Sequence, residues 1–312
     1  MTTPLTNTFM EGGKELGFDN IDCNGGKEEG FCHAQFNTAN GVRCSTFHGF
    51  LKPAMGRINL HVSTESVATK IIMQGRQAVG VEFIRDGRKH RVHTAKEVII
   101  SGGSVESPKL LMLSGIGPKK HLNSLAIPVV ADLPVGENLQ DHLVLGLAHC
   151  INQSISITLE KATSLSSMLQ YQILGTGNMF QNLVSLQNIF GDEVIVVDNH
   201  FDIQCNFKCN ISKTFFQVSE KYYHCSGEGF VNLVVLLHEK SRGTITLQST
   251  DPFDPPLIGP NYLEHPDDTN TYIKGIRTHQ KLMATSAFRK LGITKQEPLS
   301  ACSDHVYDTD EY

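Results

Sequence analysis

The feature that most constrains the fold is the stretch from Glu97 to Gly117, EVIISGGSVESPKLLMLSGIG. Residues 97–101 form a short β-branched run, and Gly102-Gly103 ends it with backbone that can adopt positive φ. Ser107 and Pro108 then supply an N-cap and a first-turn proline for a helix that the glycines of 114–117 stop. The pattern predicts a buried strand, a glycine turn and a helix, which together make half of a βα unit.

The glycine turn is also the first candidate site. A turn at the carboxyl end of a strand exposes backbone N–H groups, and the helix that follows favours negative charge at its N-terminus. Open α/β sheets bind dinucleotide phosphates at such places, so a cofactor could lie against Ser101, Gly102 and Gly103. The alternative is that two glycines only turn the chain, because glycine is the usual residue of turns.

The residues before this stretch are rich in predicted strands. Asn59 to Val62 and Ser66 to Met73 alternate as strands do. Residues 78–84 and 89–94 flank Asp86-Gly87, which is a two-residue hairpin signal. This part of the chain is therefore predicted to be mostly β-structure.

The character of the sequence changes after His142. Ser164 to Leu174 and Asp267 to Ala284 are predicted as helices, the second of them amphipathic. Between the two helices, strand-like pieces are spaced by turn residues, as in an antiparallel sheet. These pieces are His200 to Phe207, Gly229 to His238 and Gly243 to Leu247.

Length and charge limit the function classes. The chain has 312 residues, of which 40% are hydrophobic and 19% charged, so about two globular domains are expected. A net charge of -5 without a basic run argues against a nucleic-acid partner. No apolar stretch approaches the roughly 20 residues that span a bilayer. The opening MTTPLTNTFM has neither the basic nor the apolar part of a signal peptide, so the compartment stays open.

The cysteines predict neither a metal site nor a disulfide scaffold. Among the eight, only Cys205 and Cys209 have zinc-like spacing, and no second ligand pair lies at the usual distance. A few disulfides would fit an exported protein. Asn152-Gln-Ser154 and Asn210-Ile-Ser212 are glycosylation sequons, although such triplets often arise by chance.

Two blocks resemble the glucose-methanol-choline (GMC) family of FAD-dependent oxidoreductases. The family signature is a small pair, two variable residues, Ser/Thr-Pro, a branched aliphatic pair and Ser-Gly-aliphatic-Gly. Its fixed positions are filled here by Gly103, Ser104, Ser107, Pro108, Leu110, Leu111, Ser114, Gly115, Ile116 and Gly117. The second block is Leu133 to His142, LPVGENLQDH, which contains Asn138. The wording of both blocks is most similar to the insect-type glucose-dehydrogenase branch.

The resemblance implies an α/β (α+β) fold and FAD as cofactor. It implies a partial, Rossmann-like FAD-binding domain at 56–145 and an antiparallel-sheet substrate domain at 146–312. The family's carboxyl-terminal region would begin near residue 240, and residues 1–55 would pack on both domains. Val67 occupies the place of a valine whose backbone meets the adenine of FAD, and His142 would be a structural residue beside the flavin domain.

The resemblance assigns no catalytic residue to this chain. The Gly-x-Gly-x-x-Gly turn that receives the FAD pyrophosphate is absent, and the family's catalytic Tyr-His-x-x-Gly-Thr segment is expected beyond Tyr312. One hypothesis is an oxidoreductase that passes hydride from an alcohol or sugar CH–OH to the flavin, incomplete here and inactive alone. The other is a truncated, non-catalytic binding module of the same ancestry. The sequence fixes neither the substrate nor the electron acceptor.

Overall fold

The computed structural model describes residues 4–27, 29–33, 35–156, 159–177, 194–198, 201–206, 228–293, 306 and 309–310. The helices are α1 Pro4–Glu15, α2 Lys52–Ala54, α3 Gly103–Leu113, α4 Lys119–Ser124, α5 Leu159–Ala162, α6 Leu165–Leu174, α7 Pro266–Met283 and α8 Ser286–Arg289, with a π-helical turn at Phe47–Leu51. The strands are β1 Gly30–His33, β2 Thr38–Ala39, β3 Val42–Arg43, β4 Ser66–Gln74, β5 Gln77–Arg85, β6 Arg88–His93, β7 Ile116–Gly117, β8 Ala131–Asp132, β9 Glu137–Leu139, β10 Leu143–Ile151, β11 Val194–Asp198, β12 Phe201–Asn206, β13 Glu228–Leu236, β14 Gly243–Thr246 and β15 Leu257–Gly259.

The chain folds into two compact units, and neither is a continuous stretch of sequence. The first unit contains residues 1–55, 142–238 and 267–312, and the second contains residues 56–141 and 239–266. The mixed α/β class agrees with the prediction. The division into functional domains at 56–145 and 146–312 stays a prediction about what these parts do.

The first unit is built on a five-stranded antiparallel sheet with the order β1-β11-β12-β13-β10. Strand β13, GFVNLVV in its middle, is buried on both faces as befits an apolar inner strand. Phe9 of α1 is fully buried and meets Phe230 and Phe288 edge-on, with ring centroids 5.9 and 4.7 Å away. These aromatic contacts join α1, β13 and α8 in one core.

Helix α7 forms because its residue pattern satisfies both its start and its buried face. Pro266 opens the helix, and Asp267 and Asp268 place negative charge in the first turn, where the helix dipole favours it. The buried residues Asp268, Gly275, His279 and Leu282 fall on one face at helical spacing. The prediction of an amphipathic helix over 267–284 is confirmed within one residue at each end.

The second unit contains three small sheets around a separate apolar cluster. Strands β4, β5 and β6 form an antiparallel meander, and the turn between β5 and β6 places Asp86 and Gly87 at φ of 51° and 68°. Positive φ at both positions is the type I′ geometry that the Asp-Gly pair predicts. The cluster of Met112, Leu122, Ile127, Ile245 and Leu247 joins α3 and α4 to the strand β14 region.

Two predicted strands are wrong. Residues 97–101 have no regular secondary structure and pair with no strand in the described part of the chain, and Ile99 is 79% exposed. An apolar extended run becomes a strand only when a neighbour accepts its backbone hydrogen bonds, and the sequence does not say whether one is present. Residues 59–62 form a turn and an irregular segment instead of a strand.

The helix after the glycine turn begins earlier than predicted. It starts at Gly103 with Gly102 as N-cap, so Ser107 lies inside the helix and does not cap it. Pro108 is likewise in the helix interior, where its missing N–H leaves the Ser104 carbonyl without the usual helical donor.

Disulfides are present in the first unit. Cys23 and Cys32 are bonded to each other across nine positions, which ties β1 to the loop before it. Cys150 in β10 is disulfide-bonded as well, whereas Cys44 is free. In the part of the chain that the structure describes, no group of three or more His, Cys, Asp or Glu side chains could hold a metal ion.

Candidate cofactor site

The amino end of α3 presents an exposed glycine turn. Ser101, Gly102, Gly103 and Ser104 are all exposed, and no side chain caps the first turn of the helix. Its backbone N–H groups therefore face outward without an intrahelical partner, at the positive end of the helix dipole. This 11-residue helix offers the charge and the donors that bind an anionic group.

The two glycines differ in backbone conformation and in what surrounds them. Gly103 has a φ of +83°, which side-chain-bearing residues rarely adopt, and open space lies where its β-carbon would be. A β-carbon on Gly102 would come within 3.3 Å of the Ser107 backbone nitrogen and 3.4 Å of the Ser107 Oγ. Open space thus lies beside Gly103, whereas Ser107 packs closely against Gly102.

Ser114 fixes α3 against the strand that carries Val67. Its hydroxyl is almost fully buried, donates to the Leu110 carbonyl at 2.6 Å and accepts the Ile71 N–H at 2.8 Å. Val67 lies at the start of the same strand, β4, and is 42% exposed. The grouping of Val67 with the glycine turn on one face of a groove stays a prediction.

Replacing Ser114 by alanine is expected to destabilise the chain. Ser114→Ala leaves the Ile71 N–H without its acceptor in a buried place, which typically costs about 1–3 kcal/mol. The measurement is the free energy of unfolding in urea, with Ser124→Ala as control because Ser124 is exposed and donates a similar short bond, to His121. A loss for Ser114→Ala no larger than that of the control would contradict the role assigned to this hydroxyl.

The glycines after Ser114 also have structural reasons. Gly115 has a φ of +86°, and a β-carbon there would lie 2.4 Å from the Pro128 carbonyl oxygen. Gly117 forms part of β7 in the short parallel pair with β8, and a β-carbon there would lie 2.9 Å from Met112 Cγ. These signature residues set the path of the chain out of α3.

A pocket of about 310 Å³ lies beside the amino end of α3. It is lined by Ser104, Pro108, Gly136, Glu137, Asn138, Leu139, Gln140 and Ile245. Gly136 has a φ of +84°, and a β-carbon there would lie 2.0 Å from the Ile245 carbonyl oxygen, so only glycine fits. Both sequence blocks that resemble the family thus contribute residues to the lining of this pocket.

Asn138 is held in place by an arginine that the sequence did not single out. Its backbone has a φ of +70°, and its Oδ1 accepts a hydrogen bond from Arg242 Nε at 2.9 Å. Arg242 also donates to the carbonyls of Glu239 and Ser241, and its own carbonyl accepts from Asn261. Arg242 thus holds the Asn138 side chain beside the pocket, and the role of Asn138 in the family signature stays a prediction.

The end of the second block is exposed. Asp141 accepts a hydrogen bond from the Tyr262 hydroxyl, and this bond raises the pKa of Tyr262. His142 is exposed and lies immediately before β10. The structural role expected for His142 stays a prediction.

A buried histidine pair in the first unit was not predicted. His149 Nε2 and His279 Nε2 lie 2.8 Å apart, and Asn232 Nδ2 lies 3.0 Å from His279 Nδ1. With the amide nitrogen donating, His279 carries its proton on Nε2 and donates to His149, whose Nδ1–H has no partner among the described residues. Burial lowers the pKa of His149 to about 4, and burial also holds the pKa of His279 well below 6.5. The sequence offered one indication of this pair, because His279 falls on the apolar face of the predicted helix.

Comparison with known proteins begins with two family models, both described as GMC oxidoreductase. They match residues 1–144 and residues 239–312. The signature blocks and the pocket wall up to Asn138 lie in the first match, and Arg242 lies in the second.

Curated relatives align along nearly the whole chain. A "Glucose dehydrogenase [FAD, quinone]" of Drosophila pseudoobscura pseudoobscura is 33% identical over 318 aligned positions, covering 99% of this chain and 50% of the relative. An "Oxygen-dependent choline dehydrogenase" of Rhizobium etli is 35% identical over 298 positions, covering 92% of this chain and 52% of the relative. The chain thus spans about half the length of the curated relatives it matches.

Solved structures agree in fold. An FAD-dependent oxidoreductase from Chaetomium thermophilum is similar with a TM-score of 0.77 at 23% identity, covering all of this chain and 59% of the other. Pyridoxine 4-oxidase, given as from Mesorbium loti, has a TM-score of 0.77 at 21% identity, covering 99% of this chain and 55% of the other. The two family matches cover more than half of the chain, which therefore belongs to the GMC oxidoreductase family.

Proposed function

We propose that this chain is part of an FAD-dependent oxidoreductase that oxidises the CH–OH group of an alcohol or a sugar. The family membership supports the reaction class, and the two relatives described above are named as dehydrogenases of a sugar and of an alcohol. Their identities to this chain, 33% and 35%, are too similar to favour one substrate. Their names also differ in acceptor, quinone or oxygen, so the proposal leaves the acceptor open.

The observation that carries the cofactor assignment is the exposed glycine turn at the amino end of α3. Uncapped helix amides and an open face at Gly103 suit a phosphate-bearing ligand. FAD is such a ligand, because it carries a pyrophosphate. We propose that Val67, Ser101, Gly102 and Gly103 would hold the cofactor. Ser107, Pro108, Ser114, Gly115, Gly117 and Asn138 would keep this surface in shape.

The chemistry is divided between the cofactor and the protein. FAD, when bound, accepts the hydride that leaves the substrate carbon. The residues of this chain would orient the cofactor through the α3 turn in the 56–145 part, while the 146–312 part would bind the substrate. A base must also take the hydroxyl proton, and a histidine titrating near neutral pH suits that step.

We assign that base to none of the described histidines. His149 and His279 are buried and hydrogen-bonded to each other, and His121 accepts a hydrogen bond from the Leu247 backbone N–H. We therefore propose that residues 1–312 alone are inactive. The competing proposal, a non-catalytic binding module, would be favoured if the completed chain still failed to oxidise any substrate.

A substitution in the glycine turn tests the cofactor assignment. Residues 1–312 would be joined to the flanking regions of the Drosophila relative, and Gly102→Val introduced. The side chain would crowd Ser107 and distort the turn, so we expect flavin absorbance per protein to fall severalfold.

The matched control for this test is Gly26→Val. A β-carbon on Gly26 meets nothing within 4 Å, and no positive φ is needed there. Thermal melts of both variants separate loss of cofactor from loss of fold. Equal flavin content in the two variants, both folded, would remove the α3 turn from the cofactor site.

A further inference from the structure

We propose that this chain matures in an oxidising secretory compartment and carries an N-linked glycan on Asn152. The modification joins the side-chain Nδ2 of Asn152 to C1 of an oligosaccharide. The donor is an oligosaccharide linked to a polyisoprenyl diphosphate, which leaves as the diphosphate while Nδ2 loses one proton.

The cysteines point to the compartment. Cys23 and Cys32 form a disulfide, and Cys150, two positions before Asn152, is disulfide-bonded too. Structural disulfides persist in oxidising compartments and are rare in the cytosol, where thiols are kept reduced. The compartment that forms such bonds in eukaryotic cells is also the one in which Asn-x-Ser/Thr sequons are glycosylated. The disulfides therefore support glycosylation at the Asn152 sequon, which the triplet alone would not establish.

The position of the sequon fits a glycan. Asn152 directly follows β10, whose last residue, Ile151, is buried in the core of the first unit, and residues 152–154 are exposed in a bend. The two residues just before the bend, Cys150 and Ile151, pair with β13 and are half-buried and buried, respectively. The bend is thus the first point after β10 at which a large polar group can reach solvent.

The neighbouring contacts hold the bend but leave the acceptor nitrogen available. The backbone N–H of Asn152 donates to the Leu291 carbonyl, and Gln153 Nε2 donates to the Lys290 carbonyl. The Ser154 hydroxyl donates to Glu228 at 2.7 Å. Within the described residues the side-chain amide of Asn152 makes no hydrogen bond, so adding a sugar to Nδ2 would break none.

Gly292 makes room for the amide. A β-carbon on Gly292 would lie 2.2 Å from Asn152 Nδ2, and its φ of +63° also favours glycine. The amide rests against this glycine, and Asn152 as a whole is exposed to solvent. The second sequon, Asn210-Ile-Ser212, lies outside the described residues and is separated from Asn152 by the experiment.

The test is expression of residues 1–312 behind a secretion leader in a eukaryotic host, followed by peptide mapping of secreted and cell-associated protein. Peptide N-glycosidase converts a glycan-bearing Asn to Asp, so we expect Asp at position 152 after digestion. Asn152→Gln should lower the apparent mass in gel electrophoresis by that of one glycan. Asn210→Gln should leave the glycan on Asn152 in place.

Two outcomes would overturn the proposal. One is an unmodified Asn152 peptide in wild-type protein, whether secreted or retained, because the sugar is attached before folding is complete. The other is free thiols at Cys23 and Cys32 in the same non-reducing map, because the disulfide on which the proposal rests would then not form even in an oxidising compartment. Since the wild-type map is decisive by itself, a folding defect in Asn152→Gln would not obscure the answer.

Discussion

Residues 1–312 expressed alone are expected to show no dye-linked oxidation of glucose, choline or simple alcohols above background. A positioned general base alone typically contributes about 10² to 10⁴ in rate, and we assign that base to none of the described histidines. His149 and His279 bond to each other, and His121 accepts from the Leu247 N–H. Weak retention of FAD would lower the rate further. The measurement is initial rate with an artificial electron acceptor after incubation with excess FAD.

The control for this assay is the chain completed with the flanking regions of the Drosophila relative. That relative is about twice as long as the part that aligns with this chain. We expect that chimera to turn over at least one member of the panel. Substrate turnover by residues 1–312 alone would contradict the prediction and would require a base among their own side chains.

Acidification is expected to destabilise the first unit through the buried histidine pair. Burial lowers the pKa of His149 from 6.5 to about 4 and lowers that of His279 in the same direction. Below pH 6.5 the unfolded chain takes up protons that the folded chain excludes, so stability is complete above that pH and falls toward about pH 4. At about pH 5, His149 alone accounts for roughly 2 kcal/mol, at 1.36 kcal/mol per pH unit.

The measurement is the urea midpoint of unfolding at about pH 7.5 and about pH 5. His149→Phe keeps a flat ring beside Phe230 but cannot take a proton, so its midpoint should depend less on pH than that of the wild type. His61→Gln is the control because His61 is exposed. If His149→Phe and the wild type lose the same stability on acidification, the pair does not govern the acid response.

Local patterns were sufficient for elements that depend on nearby residues. The type I′ turn at Asp86-Gly87 and the cap of α6, where Ser164 accepts from the Ser167 N–H, follow from residues within a few positions. The strand expected at 97–101 could not be settled in this way. Its apolar, β-branched character is real, but strand formation depends on a neighbour that no local pattern reveals.

The candidate site divides in the same way. The glycine turn and the signature block were identifiable because their geometry is encoded in consecutive residues. The bond from Arg242 to Asn138 joins positions 104 apart, and the pair of His149 and His279 joins positions 130 apart. Spacing along the chain carries no information about such contacts, since only the folded sheet and helix bring them together.

The alternation of the chain between its two units has a consequence for synthesis. Strand β9 pairs with β14, so the β15-β14-β9 sheet of the second unit must wait until residues 243–246 have left the ribosome. The first unit must wait for α7, which begins only at Pro266. Domains that are continuous in sequence can fold one after another as they emerge, but neither unit here has that option. Each unit is therefore expected to depend on chaperones until residues beyond Pro266 have been made.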